Sequence, residues 1–337
     1  MMYNASILQG NEFEFIEEAH FQIEEGVITD VGEGYLPGGV DYRQYLAMPS
    51  FFNAHTHLGD SFAKEALLGL NVTQAVGKKG LKWKLYESST RSERMIAMKD
   101  SLKFMLASGT TGFADFREFG MEGINELKDC LTASNMTSII LGRDVDENEC
   151  DGFGLNLYQK NQIPKNRKKI LALHAGEKEG ELEKALELRP DILVHFTKAG
   201  KRAIKQAVKN KISVVVCPRS NSLLQAGFPK VREMLDSRIK VSLGSDNVML
   251  NQPNMLREME YLFKVSHLVG KPLTPAEVLR TATYNGFKTF NINSGLLKKG
   301  MSASLLFLDK NAPNLRHSKD IRASIVGRCE MENIRKV

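Results

Sequence analysis

The chain has 337 residues, enough for one large domain with or without a smaller one, and 42% of them are hydrophobic, which allows a sizeable core. The net charge of +6, from 46 basic and 40 acidic residues, is too small to indicate nucleic-acid binding and is compatible with an anionic small molecule. The four cysteines are scattered without a CxxC pair, and neither a signal peptide nor a run of about 18 apolar residues is found, so the sequence predicts a cytoplasmic protein without a membrane segment.

Residues 1 to about 46 consist of short apolar segments separated by glycine-containing turn signals, a pattern typical of β-hairpins. Patterns typical of strands return near the other end, at residues 302–309 and 324–328. We expect the strands of the two chain ends to pair with each other. The sequence therefore predicts a small β-sandwich domain formed by both termini, from residues 1–46 and 297–337.

Residues 47–296 alternate short apolar strands with helices. The strands are expected at residues 47–57, 110–116, 137–143, 151–157, 169–174, 192–196, 212–221 and 238–246. The helices are expected near residues 91–107, 121–134, 179–188, 199–210, 229–236, 254–268 and 275–289, with a long functional loop containing some helix at 58–90. Apolar strands without alternation are typical of a parallel sheet that is buried on both faces. Eight of them with intervening helices, over about 250 residues, predict an α/β fold with a TIM-type (β/α)8 barrel.

The first barrel strand ends in His55-Thr56-His57. Residues i and i+2 of a strand point to the same face, so both imidazoles can reach one metal ion. A strand end with two surface histidines is the simpler alternative. Three other residues bear on this choice, because His174, His195 and Asp246 end the predicted fifth, sixth and eighth strands.

The carboxyl ends of the barrel strands lie on one face, where TIM-barrel enzymes carry their active sites. Buried neutral imidazoles each need a hydrogen-bond partner, so four histidines that converge there with an aspartate are difficult to explain by packing alone. Three imidazole nitrogens and one carboxylate oxygen suit a divalent metal ion with a position open for water. The sequence therefore predicts a catalytic metal site for zinc or iron.

Seven segments of the chain carry a family resemblance. They are Met48–Ser61, Ser108–Thr111, His174–Glu177, Val194–His195, Cys217–Asn221, Gly244–Asp246 and Ala282–Gly286. In their order and spacing they resemble the amidohydrolase superfamily, in its branch of aminohydrolases, along nearly the whole chain. That branch contains cytosine, guanine and S-adenosylhomocysteine/methylthioadenosine deaminases and triazine chlorohydrolases. Two departures are Ser50, where the branch usually has glycine, and Ser304, where it usually has aspartate.

The resemblance implies a role for each residue at the strand ends. One metal ion is bound by His55, His57, His174 and Asp246. Asp246 also accepts a proton from the water, His195 orients and stabilises that water, and Glu177 carries a proton to the ring nitrogen of the substrate. Such a proton transfer is typically worth about 10²–10⁴-fold in rate. A carboxylate favoured by the N-terminus of a helix is the alternative interpretation of Glu177.

Binuclear members of the superfamily bridge two metal ions with a carboxylated lysine at the end of the fourth strand. No lysine ends residues 151–157 in this chain, and Lys160 follows three residues too late. A mononuclear site is therefore favoured over dihydropyrimidinase-like or urease-like chemistry. The unrelated deaminase fold with a Pro-Cys-x-x-Cys zinc site is excluded because the chain lacks that motif.

The resemblance implies a metal-dependent hydrolytic deaminase of a purine, pyrimidine or related heterocycle, in which activated water attacks a C–N centre and ammonia leaves. A chlorohydrolase, or a hydrolase of a cyclic amide or imidazolone, would use the same site, and an inactive scaffold is the alternative from another class. Candidate substrate contacts just beyond the strand ends are Trp83, Arg117, Arg143 and Asn221. The arginines and the lysine-rich residues 77–84 favour an anionic substrate, although the lysines are also explained as a solvated surface. The expected partner is a small heterocyclic substrate, not nucleic acid or a membrane, and a homo-oligomer is compatible with the sequence.

Overall fold

The computed structural model describes residues 1–132 and 134–335. Contacts between Cα atoms divide the chain into two compact units. One unit contains Met1–Phe52, Leu106–Thr111 and Met255–Val337, and the other contains Asn53–Met105 and Gly112–Asn254. The boundaries of the two domains expected from the sequence stay a prediction. Within the described residues, no helix has both the length and the apolar character needed to cross a membrane.

The described residues form fourteen strands and twelve α-helices. The strands are β1 (Met2–Gln9), β2 (Glu14–Glu24), β3 (Val27–Glu33), β4 (Val40–Pro49), β5 (Phe51–His57), β6 (Thr110–Phe116), β7 (Thr137–Gly142), β8 (Gly152–Asn156), β9 (Ile170–Ala175), β10 (Ile192–His195), β11 (Ser213–Val216), β12 (Val241–Leu243), β13 (Asp246–Asn247) and β14 (Leu305–Asp309). The helices are α1 (Val72–Val76), α2 (Leu81–Ser88), α3 (Arg91–Ala107), α4 (Gly120–Leu131), α5 (Glu181–Glu187), α6 (Lys201–Lys209), α7 (Pro218–Leu223), α8 (Val231–Asp236), α9 (Met255–Leu268), α10 (Pro275–Ala282), α11 (Tyr284–Thr289) and α12 (Ile321–Arg328).

Strands from both chain ends form one five-stranded sheet in the order β14-β4-β1-β2-β3. The expected pairing of the ends is observed, since β14 runs antiparallel to β4 with Leu306 opposite Met48. Ala5 and Ile7 of β1 point to the same face because strand side chains alternate, and they pack with Phe21 of β2 in a buried apolar cluster. Residues 4–8 of β1 and 46–49 of β4 are all buried, so these two strands are covered on both faces along part of their length.

The two serines that depart from the family pattern contact each other. The hydroxyl groups of Ser50 and Ser304 lie 2.7 Å apart, and the hydroxyl of Thr111 is 2.5 Å from Ser50 and 2.7 Å from Ser304. The amide of Ser50 also donates to the carbonyl of Ser304 at 3.0 Å. The departures are therefore complementary, because each hydroxyl satisfies the other.

Nine strands form a second sheet in the order β12-β11-β10-β9-β8-β7-β6-β5-β13. Successive strands from β6 to β12 pair in parallel, and β13 pairs in parallel with β5. The two outer strands, β12 and β13, are separated only by Gly244 and Ser245, so the predicted eighth strand is present as two short pieces. A parallel sheet of this order, with helices between its strands, is consistent with the TIM-type fold.

Two local predictions are wrong. Residues 324–328, expected as a strand, belong to helix α12, whose first turn is capped by the Asp320 side chain accepting from the amide of Arg322. A short apolar run does not distinguish a strand from a buried helix. The seventh strand, expected to reach residue 221, ends at Val216, because Pro218 occupies the first turn of α7, a position that suits proline.

Candidate metal centre and active site

Five of the predicted residues come together where strands of the parallel sheet end or begin. They are His55 and His57 in β5, His174 in β9, His195 in β10 and Asp246 in β13. His55 Nε2 lies 3.0 Å from Asp246 Oδ1 and 3.3 Å from His174 Nε2. His57 Nε2 lies 3.3 Å from His174 Nε2 and 3.5 Å from Asp246 Oδ1.

These atoms fit a divalent metal ion. In a tetrahedral zinc site with ligand bonds of about 2.0–2.1 Å, neighbouring ligand atoms lie about 3.3 Å apart. The four separations of 3.0–3.5 Å match that value. A group of ligand atoms that all lie within 4.8 Å of one another contains His55, His174, His195 and Asp246. The structure therefore has a His-His-His-Asp group that could hold a metal ion, and His57 lies close to two of its members, His174 and Asp246.

Burial governs the protonation of the histidines. Loss of water lowers the pKa of His55, lowers that of His57 to about 3, and brings the pKa of His174 well below its ordinary value. Burial by itself raises the pKa of Asp246, but the hydrogen bond with His55 and the charges nearby hold that pKa well below its usual range. Neutral imidazoles and an ionised carboxylate are the forms that bind metal ions.

His195 and Glu177 lie beside this group. His195 Nε2 is 3.7 Å from Glu177 Oε2, and His195 Nδ1 is 2.8 Å from Asn221 Oδ1. Burial raises the pKa of Glu177. Burial opposes the charged form of His195, but the carboxylates of Glu177 and Asp246 raise the pKa of that imidazole. A carboxyl group that keeps its proton closer to neutral pH suits proton delivery to a substrate.

His195 and Asp246 adopt left-handed backbone conformations that residues other than glycine seldom take. The angle φ is 76° at His195 and 60° at Asp246. Such conformations cost free energy and persist only where surrounding contacts hold them. Here the amide of Phe196 donates to the carbonyl of Ala175, and the hydroxyl of Ser220 donates to Asp246 Oδ2. The contacts of the cluster therefore hold two backbone conformations that cost free energy.

A group of buried charged residues next to His57 was not predicted. Glu118 Oε1 accepts hydrogen bonds from His57 Nδ1 at 2.8 Å and from Lys82 Nζ at 2.6 Å. Lys82 Nζ also lies 2.8 Å from Asp60 Oδ2, and the hydroxyl of Tyr86 donates to Asp60 Oδ1 at 2.7 Å. Lys82 is only 2% exposed, so the interpretation of this lysine as solvated is wrong. Its four-residue spacing from Tyr86 places both on one face of α2, but this spacing alone does not predict that a lysine is buried.

Two of the four predicted substrate contacts, Trp83 and Arg143, line a cavity beside the histidines. Trp83 Nε1 donates to the carbonyl of Gly77 at 2.9 Å, so its indole edge has a local partner. Arg143 is buried, and its Nε donates to the carbonyl of Gly154 at 2.6 Å. Arg143 Nη2 is buried and has no hydrogen-bond partner among the described residues.

The other two predicted contacts, Arg117 and Asn221, are not among the described residues that line this cavity. Arg117 is buried, with Nη1 3.4 Å from Asp115 Oδ2 and Nη2 3.5 Å from Glu118 Oε2. Asn221 is buried against His195. The structure places both residues in contact with other site residues.

The cavity is lined by two cationic side chains, Lys82 and Arg143, and by two carboxyl groups, those of Glu177 and Asp246. Its volume of about 30 Å³ is room for about one or two water molecules. Pockets for small organic ligands usually have volumes of about 300–1,000 Å³. The cavity is therefore too small, in this conformation, for a heterocyclic ligand.

The sequence and the fold are similar to those of known proteins. A model of the amidohydrolase family matches residues 155–337. A protein of Methanothermobacter thermautotrophicus named "Putative aminohydrolase" is 32% identical, over 98% of this chain and 95% of its own length. A 5-methylthioadenosine/S-adenosylhomocysteine deaminase of Clostridium tetani is 27% identical, over 95% of this chain and 87% of its own length. The solved structure of an adenosine deaminase from Xanthomonas campestris with bound zinc has a TM-score of 0.81 at 17% identity, over 99% of this chain and 90% of that one, which is a likeness of fold.

Proposed function

The chain belongs to the amidohydrolase family, as a hydrolase of C–N bonds, and from this premise we propose that it is a metal-dependent deaminase of a purine, pyrimidine or related aminated heterocycle. The observation that carries the proposal is the convergence of three imidazole nitrogens and one carboxylate oxygen, with Glu177 in the same cavity. The deaminase relative at 27% identity supports the reaction class.

We assign one divalent metal ion to His55, His57, His174 and Asp246, with zinc favoured by the nitrogen-rich donor set and iron as the alternative. When bound, the ion supplies an acidified water, because a divalent metal lowers the pKa of water from about 15.7 toward about 7. The remaining chemistry comes from residues of this chain.

Glu177 donates its proton to the ring nitrogen next to the amino-bearing carbon, which makes that carbon electrophilic. Water adds to the carbon, its proton passes to Asp246, and His195 holds the attacking oxygen by a hydrogen bond. The proton then moves from Asp246 to the amino group, and the C–N bond to that group breaks. The hydroxyl group formed from the water gives its remaining proton back to Glu177, so that ammonia leaves and a carbonyl is formed on the ring. The raised pKa of Glu177 supports its role as the acid.

The remaining predictions belong to the same proposal. A small β-sandwich domain is formed by residues 1–46 and 297–337, and residues 47–296 form the barrel that carries the site. The substrate is anionic or rich in hydrogen-bond acceptors, since Arg143 offers a free donor. The protein acts in the cytoplasm, as the cysteine pattern predicts.

A screen for ammonia release tests the proposal. The full chain, loaded with zinc or with iron, is assayed over aminated purines, pyrimidines and related heterocycles, with His174→Ala as the inactive control. We expect ammonia from at least one compound and none from the control. If the metal-loaded protein releases chloride, or opens a cyclic amide, without releasing ammonia from any aminated compound, the deaminase assignment is wrong while the family assignment stands.

A further inference from the structure

We propose that Glu118, held by Lys82, is a positioning residue that fixes the ring of His57 for metal binding, an inference that rests on the proposed metal site. Glu118 was not a candidate from the sequence, and Lys82 was considered only as one of the lysines of residues 77–84. Both are buried, with Glu118 1% and Lys82 2% exposed. Their contacts with His57 and with each other carry the argument.

The contact between Glu118 and His57 selects one form of the imidazole. Glu118 Oε1 lies 2.8 Å from His57 Nδ1. An ionised carboxylate only accepts hydrogen bonds, so Nδ1 carries the hydrogen and Nε2 carries the lone pair. That Nε2 atom lies 3.3 Å from His174 Nε2 and 3.5 Å from Asp246 Oδ1, where the metal ion is proposed. Glu118 therefore holds His57 in the tautomer and orientation that a ligand needs.

Glu118 in turn is held by cations. Lys82 Nζ donates to Glu118 Oε1 at 2.6 Å and lies 2.8 Å from Asp60 Oδ2. Arg143 Nη1 and Arg117 Nη2 each lie 3.5 Å from an oxygen of Glu118. Lys82 is the closest of the three cations, so it contributes most to fixing the carboxylate against His57.

Of the three histidines proposed as ligands, His57 is the one with such support. The Nδ1 atoms of His55 and His174 are buried and have no hydrogen-bond partner among the described residues. A metal-bound imidazole usually donates from its other nitrogen to a carboxylate or carbonyl, and loss of that partner typically costs about 10–100-fold in metal affinity or activity. Among the described residues, Glu118 is therefore the only group that accepts a hydrogen bond from the Nδ1 atom of one of these three histidines.

The simpler interpretation is that Glu118 and Lys82 are a buried ion pair that contributes only to folding. The chain offers a matched comparison in Arg94 and Glu126. Glu126 is also 1% exposed, and its oxygens accept from Arg94 Nε at 3.2 Å and from Arg94 Nη2 at 2.5 Å. Replacement of Glu126 therefore removes a buried, ion-paired carboxylate like that of Glu118 but leaves the contacts of the histidines unchanged.

The test compares Glu118→Ala, Glu118→Gln, Lys82→Met and Glu126→Gln in the full chain. Each protein is stripped of metal, its zinc affinity is measured by competition with a chelator, and its melting temperature is recorded with and without zinc. We expect Glu118→Ala to weaken zinc binding by about 10–100-fold. Glu118→Gln keeps an acceptor oxygen, so its zinc affinity should fall by less than that of Glu118→Ala. The zinc affinity of Lys82→Met should also fall by less, because Glu118 itself remains.

Glu126→Gln is expected to lower the melting temperature of the metal-free protein while its zinc affinity stays at the wild-type value. The inference is overturned if Glu118→Ala and Glu118→Gln, folded in the metal-free state, both bind zinc within about twofold of wild type, since loss of the carboxylate that accepts from a metal-bound histidine costs more than that. Such a result leaves the proposed function intact. If the wild-type protein itself binds no zinc or iron, the proposed function fails first, so the two failures are distinguishable.

Discussion

His57 Nε2 and His174 Nε2 face each other across 3.3 Å, while the other nitrogen of His57 donates to Glu118. His174 Nε2 is also 3.3 Å from His55 Nε2. A neutral imidazole nitrogen carries at most one hydrogen, so His174 Nε2 can donate to only one of these two neighbours. The metal ion proposed for this site would accept the lone pairs of all three nitrogens at once.

Metal content should therefore separate the ligands from the residue beside them. We expect about one metal ion per wild-type chain, as a mononuclear site requires. We expect almost none in His57→Ala or His174→Ala, and full content with little activity in His195→Ala. Measurement is by elemental analysis of the purified proteins, with His267→Ala, an exposed histidine of α9, as the control. Loss of metal in His195→Ala with retention in His57→Ala would instead identify His55, His174, His195 and Asp246 as the ligands.

Replacement of Glu177 should separate proton transfer from metal binding. In Glu177→Gln we expect unchanged metal content and a fall in kcat of about 10²–10⁴-fold, because the amide cannot deliver a proton to the ring nitrogen. Steady-state ammonia release measures the effect. Glu183→Gln, an exposed position on α5, is the matched control and should retain wild-type kcat. Full activity in Glu177→Gln would refute the assignment of this residue as the acid.

The parallel sheet and the residues at its strand ends were predictable because each carries a local signal. His55 and His57 share a strand face through their spacing, and His174, His195 and Asp246 each follow a short apolar run. The position of these residues at one end of the sheet then follows from the fold class. No contact between distant residues was needed for this part of the site.

Lys82 and Glu118 could not be found in this way, because their burial depends on pairing between residues that are 36 positions apart in the sequence. A lysine within a basic cluster is typical of an exposed surface, and Lys78, Lys79 and Lys84 are indeed exposed. Lys82 differs from these three lysines because it forms ion pairs with Asp60 and Glu118 in the folded chain. A sequence pattern does not contain that long-range charge complementarity.

Acid should destabilise the metal-free protein. Burial lowers the pKa of His57 to about 3 and also lowers the pKa of His55 and His174, whereas an unfolded histidine titrates near 6.5. A depressed histidine pKa contributes stability that is fully present above pH 6.5 and is lost as the pH falls from 6.5 toward 3. We expect the urea midpoint of the metal-free protein to fall between pH 7.5 and pH 5.

The comparison variant for this effect is metal-free His174→Asn, which lacks one of the three titrating imidazoles. Its urea midpoint should fall by less than that of the wild type between pH 7.5 and pH 5. Equal midpoints at pH 7.5 and pH 5 for the metal-free wild type would contradict the expectation, because they would mean that the folded and unfolded chains bind protons equally.

Arg143 should recognise the substrate rather than take part in the chemical step. Its Nε is committed to the carbonyl of Gly154, and its Nη2 is a buried donor without a hydrogen-bond partner among the described residues, in a cavity shared with Glu177. A hydrogen bond to a charged group is worth about 1.5–3 kcal/mol, so Arg143→Met should raise KM by about 10–100-fold with a smaller change in kcat.

Arg143→Lys keeps the charge but not the planar guanidinium group, and it should restore only part of the substrate affinity that Arg143→Met loses. Steady-state kinetics on the best substrate of the ammonia screen measure both constants, with the exposed Arg202→Met as the control. If Arg143→Met lowers kcat and leaves KM unchanged, Arg143 acts on the site residues, through its 3.5 Å contact with Glu118, and not on the substrate.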